Sequence, residues 1–324
     1  MKKRNFLKST IFAIAAAAMP ASAMARDSVK VAYMKIPPLV HMIYALENGI
    51  FEQNDLEVDL TVVNGGPELM TALASGSVDI GMTAVGIVLL ARAKGLKLQA
   101  FGTGDYEEPG DIRNWIVADA NDGIASLKDL EGKTVGVVAK NSPAELSVRD
   151  HMLAAGADPD TVKFVALPFP QLPSALEVGN VDAVFVGDPF HTQLQNSTKA
   201  KATDLSEGLI ATLDQDGRIA LGGWFARDEW LADEKNRDIA RRLLKSILQS
   251  NRELDADPAK FYAILERDFG MPPDVAAKNP LHLNTGPLVA EPANYQPTID
   301  ALARTGMIKE SYPASDVVVS ISDE

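Results

Sequence analysis

"ALASGSVDI" occupies residues 72–80, and "ALEVGNVDA" occupies residues 175–183. Both carry one skeleton: Ala-Leu, two residues, Gly, one residue, Val-Asp. It pairs Ala72 with Ala175, Leu73 with Leu176, Gly76 with Gly179, Val78 with Val181 and Asp79 with Asp182. In each copy a helical pattern stops at Gly, the usual residue just past a helix C-terminus because it accepts left-handed backbone. The Val-Asp then opens a short apolar run, "DIGMTA" or "DAVFVG", with the composition of a strand.

The likeness extends upstream. "VKVAYMKIPPLVHMIYALENGIF" (29–51) reads as an alternating apolar run, a two-proline turn and a helix ending at Gly49. "KTVGVVAKNSPAELSVRDHMLAAGA" (133–157) repeats that order, with Lys140 where the first copy has Lys35 and a stop at Gly156. A second strand follows in each, "LEVDLTVV" (56–63) and "VKFVAL" (162–167), then a tight turn, "NGGP" or "PFPQ", and another helix. Strand, helix, strand, helix, strand, given twice, predicts an α/β protein of two similar parallel-sheet lobes.

The lobes are expected to be joined by two crossings. Strand-like "KLQAFGTG" (97–104) and "NWIVADA" (114–120) precede the second copy, and "GRIALGGWFARDEW" (217–230) follows it and returns to the first lobe. The boundaries drawn are 26–120 with 217–324 for lobe 1, including C-terminal helices that pad it, and 121–216 for lobe 2. A chain of 324 residues suits two domains.

Residues 1–25 have a basic start (Lys2, Lys3, Arg4, Lys8), a short apolar stretch broken by Pro20, and small-residue cleavage sites after Ala23 or Ala25. That is the pattern of a secretory signal peptide, too short for a membrane span. "KRNFLK" leaves both the Sec and the twin-arginine routes open. The chain has no Cys, so disulfides, thiolate metal sites, a Cys nucleophile and lipid attachment at a cleavage-site Cys are all excluded. A soluble, monomeric protein of a Gram-negative periplasm is expected. The net charge is −13, and removing the basic leader makes the remainder more acidic still. That balance argues against nucleic acid or anionic lipid as a partner. No His or carboxylate cluster has metal spacing, and no metal or cofactor is expected.

"GIFEQNDLEVDLTVVNGGPELMTALASGSVDIGMTA" (49–84), "SLKDLEGKTVGVV" (126–138) and "LPSALEVGNVDAVFVGDPF" (172–190) together resemble the sulfonate, nitrate and taurine type of ABC-transporter substrate-binding protein. The resemblance covers most of the chain beyond the leader. It implies the two-lobed periplasmic binding protein fold (type II), a ligand buried between the lobes, hinge closure without catalysis, and delivery to an inner-membrane ABC permease. It also implies a ligand range: alkyl and aryl sulfonates, nitrate or bicarbonate, taurine, pyrimidine precursors of thiamine, and aromatic acids. A ligand-sensing partner of a membrane receptor is the other use of such a chain.

Open parallel sheets bind ligands beyond the carboxyl ends of their strands, where helix N-termini favour anions. That rule picks out Lys35 and Ile36 after the first strand, Gly65 and Gly66 before the second helix, and Thr83 and Ala84 after the third strand. In the second lobe it picks out Asn141 and Ser142 ahead of Pro143, Phe169 as an aromatic face, and Asp188 ahead of Pro189. Helix capping competes with ligand binding at Ser142 and Asp188. Trp224, in the returning segment, is a candidate wall, and His41 reads as a packing or surface residue. Gly187 stands where the family commonly has a bulky aromatic, and "KIPPL" replaces a small polar run. Both leave room for a larger ligand, and Ile36 and Phe169 supply apolar walls. An organic anion with an apolar or aromatic body, sulfonate-like or an aromatic or heterocyclic acid, is therefore expected.

Overall fold

The computed structural model describes residues 26–211, 217–279 and 281–321. The leader expected over residues 1–25 lies outside them. In the first lobe β1 (Asp27–Met34), α1 (Val40–Glu47), α2 (Ile50–Gln53), β2 (Leu56–Val63), α3 (Gly66–Ser75), β3 (Ile80–Ala84), α4 (Val85–Ala93) and β4 (Leu98–Glu107) follow in order. The second lobe contains β5 (Asn114–Asp119), β6 (Thr134–Val137), α5 (Pro143–Ala154), β7 (Lys163–Ala166), α6 (Leu172–Glu177), β8 (Ala183–Gly187), α7 (Phe190–Gln195) and β9 (Ala202–Glu207). The chain then returns through β10 (Ile219–Arg227) to α8 (Asp228–Leu231), α9 (Glu234–Ala256), α10 (Pro258–Phe269), α11 (Pro273–Ala276) and α12 (Gln296–Arg304).

The strands form two five-stranded sheets, β2-β1-β3-β10-β4 and β7-β6-β8-β5-β9. The first three strands of each are parallel, as the repeated grammar requires. The fourth is antiparallel in both. This corrects the all-parallel expectation. In each sheet the odd strand is the one that has just crossed from the other lobe, so it enters from the end where the parallel strands finish. The segment 114–120, placed by sequence with lobe 1, pairs with β8 and β9 in the second sheet. Its apolar run is the same whichever lobe it joins, so only the pairing decides.

The repeated motif performs one job twice. Gly76 and Gly179 take φ of 74° and 70°. The N–H groups of Ser77 and Asn180 reach back to the carbonyls of Ala72 and Ala175 at 3.1 and 2.9 Å, closing the two helices alike. Leu73, Leu176, Val78 and Val181 are buried. Each motif Asp then brackets the neighbouring first strand. The Asp79 N–H donates to the Lys30 carbonyl while Lys30 N–H donates to Asp79 Oδ2, both at 2.9 Å. Asp182 and Thr134 repeat the bracket at 2.8 and 2.7 Å.

The C-terminal helices divide. The helices α9 and α10 pad lobe 1 against α1 and α2. By contrast, α12 packs on both α4 and α5, and a single apolar cluster runs from Leu69 and Leu89 through Ile299 and Leu302 to Leu146 and Val148. Arg304 on α12 donates to Asp150 on α5 at 2.8 and 2.7 Å, and Asp150 is fully buried. Both lobe connections meet at Glu107, itself buried. Its carboxylate accepts from Leu209 N–H at 2.5 Å on the returning segment, and from Arg113 N–H and Asn114 Nδ2 at 3.2 and 2.9 Å on the outgoing one.

Candidate functional site

A cavity of about 200 Å³ opens at the carboxyl ends of the lobe 1 strands. Met34 from β1, Met82 to Ala84 from β3, and Gly104 and Asp105 from β4 form its floor, with Leu221 and Gly222 from the start of β10. The turn after β1, Asn251 of α9 and the loop 282–284 close the sides. The floor is glycine-dependent: a Cβ at Gly222 would lie 2.7 Å from Met82 Cε, and one at Gly104 2.9 Å from the same atom.

The cavity wall is largely apolar, but it holds buried polar atoms with no partner among the described residues: Thr83 Oγ1, both ring nitrogens of His41, Asn251 Oδ1 and Asn284 Nδ2. Leaving such atoms dry costs about 1–3 kcal/mol each, so this is a place built for something that hydrogen-bonds. The two amides are held in position: Asn251 Nδ2 donates to the Asn284 carbonyl at 2.8 Å, and Gly286 N–H donates to Asn284 Oδ1 at 3.0 Å. Burial lowers the His41 pKa to about 4, so the ring is neutral near neutral pH and offers one donor and one acceptor.

Among the described residues Asp105 is the one carboxylate on the wall. Its Oδ1 accepts from Arg113 Nη1 at 3.1 Å and Tyr106 N–H at 3.0 Å. Burial raises its pKa, and Arg113 and the Tyr106 N–H pull it back. Arg113 is shared, since its Nε and Nη2 go to Asp111 at 3.0 and 2.6 Å. His282 lies close enough to feel Arg113, Asp111 and, from lobe 2, Asp188; its pKa is lowered, first by burial and then by Arg113.

Of the residues picked out from sequence, Ile36, Thr83 and Ala84 line this cavity. Lys35 is exposed, with Nζ 5.7 Å from the centre of the Phe269 ring. Gly65 caps α3, and Gly66 brings the helix start against β3 and α4: a Cβ there would sit 2.7 Å from Ile87 Cδ1 and 3.8 Å from Thr83 Oγ1. Trp224 is fully buried in β10 rather than in a connection. It stands behind His41, with ring centres 6.3 Å apart, and its Nε1 has no partner among the described residues.

The second-lobe candidates follow their strands as expected but do not line the cavity. Ser142 caps α5, donating to the Ala139 carbonyl at 2.6 Å and accepting from Glu145 N–H at 3.5 Å. Asn141 has left-handed backbone, φ 52°, and its N–H donates to Glu145 Oε2 at 2.8 Å. Asp188 accepts from Thr192 N–H and hydroxyl at 3.1 and 2.7 Å, capping α7. Phe169 is exposed and stacks on Phe190 at 6.0 Å, giving lobe 2 an aromatic face. Gly187 has a structural cause: a Cβ there would lie 2.7 Å from the Arg113 carbonyl oxygen. The two strand-end faces touch where a Cβ at Gly86 of α4 would come 3.0 Å from Pro143 of α5.

Sequence reasoning missed His41 as a cavity residue, together with Asp105, Asn251, His282 and Asn284. One signal was available. The buried side of α9 carries Ser246, Ser250 and Asn251 among its leucines, and polar residues on an apolar helix face need a reason.

Two α/β lobes with paired crossings and facing strand ends define the periplasmic binding protein fold. The chain belongs to the NMT1/THI5-like family, which matches residues 37–260. An aliphatic sulfonates-binding protein of Escherichia coli (strain K12) is 25% identical over 275 residues, 84% of this chain and 79% of that protein. The taurine-binding periplasmic protein of the same strain is 25% identical over 216 residues, 65% of this chain and 62% of that protein. The fold matches the alkanesulfonate-binding protein SsuA of Xanthomonas axonopodis pv. citri bound to MOPS, with TM-score 0.70 and 20% identity over 92% of this chain and 100% of that one. Among the described residues no helix is long and apolar enough to cross a membrane.

Proposed function

We propose that this chain is the periplasmic solute-binding component of an ABC importer and captures a small organic anion with an apolar or aromatic body between its lobes. The observation that carries this is the cavity at the lobe 1 strand ends, with buried hydrogen-bonding atoms left unpaired and an aromatic face on the opposite lobe. Binding, not catalysis, is its work. Contacts from both lobes favour a closed form over an open one, and a ligand shifts that balance by its differential affinity for the two. The closed surface is then recognised by an inner-membrane permease, with the chain acting as a monomer. The relatives that bind sulfonates and taurine support this ligand class.

A thermal-shift screen of the purified protein tests it, using alkyl and aryl sulfonates, taurine, aromatic carboxylates, pyrimidines and nitrate. A binder raises the melting temperature in proportion to the logarithm of its concentration over Kd. At least one organic anion should do so. A flat response across every class would end the solute-binding proposal.

A further inference from the structure

We infer that Met82 sets the depth of the lobe 1 cavity, and with it the length of apolar body a ligand can seat there, while Gly104 and Gly222 position Met82. This rests on the solute-binding proposal above and deepens it.

Three observations meet at one methyl group. First, Gly104 and Gly222 lie inside β4 and β10, where glycine weakens a strand because it adds backbone freedom and no side chain. Neither has a positive φ, so backbone conformation does not call for glycine at either place. Space does. A Cβ at Gly222 would come 2.7 Å from Met82 Cε and 3.8 Å from Met82 Sδ, and one at Gly104 2.9 Å from Cε. The two glycines leave a trough across neighbouring strands, and the Met82 thioether lies in it.

Second, the register leaves Met82 one open side. It stands opposite Trp224 on β10, and Gly222 is opposite Ala84, two residues nearer the end of β3 and so on the same face. Trp224 is fully buried, while Met82 contributes to the cavity floor. Third, this floor suits an apolar body and not a charged head. Met34, Leu39 and Leu221 line the cavity with Met82, and among the described residues no Lys or Arg does. An anionic group here would face Asp105 without a counter-charge.

A thioether on an unbranched side chain fills an irregular gap and yields to what presses on it. One substitution can therefore move the floor in either direction. Met82→Ala empties the trough and deepens the cavity. Gly222→Ala fills the trough and lifts the Met82 methyl into the cavity, which becomes shallower.

The test is calorimetry with straight-chain alkanesulfonates, from ethanesulfonate to octanesulfonate, on the unaltered protein and both variants. Affinity should rise about fourfold for each methylene buried, until the chain meets Met82, and then stop rising. The first chain beyond that limit should bind about fourfold tighter to Met82→Ala than to the unaltered protein. In Gly222→Ala the limit should move the other way, to shorter chains. A limit that stays put, or moves the same way in both variants, overturns the inference. So does a change in affinity that is equal at every length, since that marks a purely structural effect. Should Gly222→Ala fold poorly, Gly104→Ala presses on the same methyl and takes its place. The unaltered protein gives a second reading by methionine-methyl NMR, with the Met82 signal identified by its loss in Met82→Leu. That signal should shift with the longest chain bound and stay with ethanesulfonate, and an unmoved signal overturns the inference. Silence from the whole series defeats this inference, while a binder among the carboxylates or pyrimidines of the wider screen keeps the solute-binding proposal.

Discussion

His41 shows how far one side chain can depart from its sequence neighbourhood. It sits in "PLVHMIYAL", where an apolar helix face gives no hint of an imidazole with both nitrogens unpaired. Its folded pKa, about 4, lies below the unfolded value of 6.5. The unfolded chain therefore binds a proton that the folded chain refuses. Stability is intact above pH 6.5 and falls as the pH drops towards 4, by about 3 kcal/mol in total for that separation. Urea denaturation across that range should show the slope in the ligand-free protein, and His41→Phe should remove His41's share of it. Thr83 supports a different prediction. Its hydroxyl has no partner among the described residues, so Thr83→Val should leave stability unchanged or slightly higher. Ligand affinity should drop by about 1–3 kcal/mol. Measuring the melting temperature without ligand and Kd with the best binder separates the two. A drop in stability with unchanged Kd would take Thr83 out of the site.

At the level of elements, the bracket made by the repeated Asp is the device that the two lobes share. A carboxylate fixes the first strand beside the third, and the glycine before it ends the preceding helix. Asp79→Ala and Asp182→Ala should each cost roughly 1–2 kcal/mol, because each leaves a strand N–H without its acceptor. Equilibrium urea unfolding measures both, and similar losses are expected in the two lobes. A neutral result in either would mean that water replaces the carboxylate there. The repeat made this much legible, because helix stops, strand starts and their spacing are local properties of the chain. The antiparallel fourth strands were not legible. The strand segments "NWIVADA" and "IALGGWFAR" carry the same apolar composition whichever sheet they enter. Nothing local distinguishes a strand that stays in its lobe from one that has just crossed.

Across the whole molecule, Glu107 ties the two connections between the lobes together, accepting from three donors. Replacing it leaves those donors unpaired in a buried place. Glu107→Ala should cost roughly 2–4 kcal/mol. It should also loosen the relative placement of the lobes, visible as a larger radius of gyration in small-angle scattering of the ligand-free protein. An unchanged scattering curve with lost stability would reduce Glu107 to a purely structural role. The Asp150–Arg304 pair and α12 add a second tie. The C-terminal helices thus do more than pad lobe 1, since one of them spans the two lobes.

The sequence by itself determined the duplicated α/β plan, the helix stops at Gly76 and Gly179, and the third strands that finish beside Thr83 and Asp188, because each follows from the periodicity and turn chemistry of a few adjacent residues. It also carried Ser142 and Asp188 as helix caps, for the same reason. Only the tertiary structure decided the rest. It brought His41, Asp105, Asn251 and Asn284, widely separated along the chain, around one cavity, and set Gly187 against the Arg113 carbonyl. Local pattern fixes which face a residue takes on its own element. Which elements meet, and which polar atoms are left facing one another without partners, depends on pairings between distant segments that no short stretch encodes.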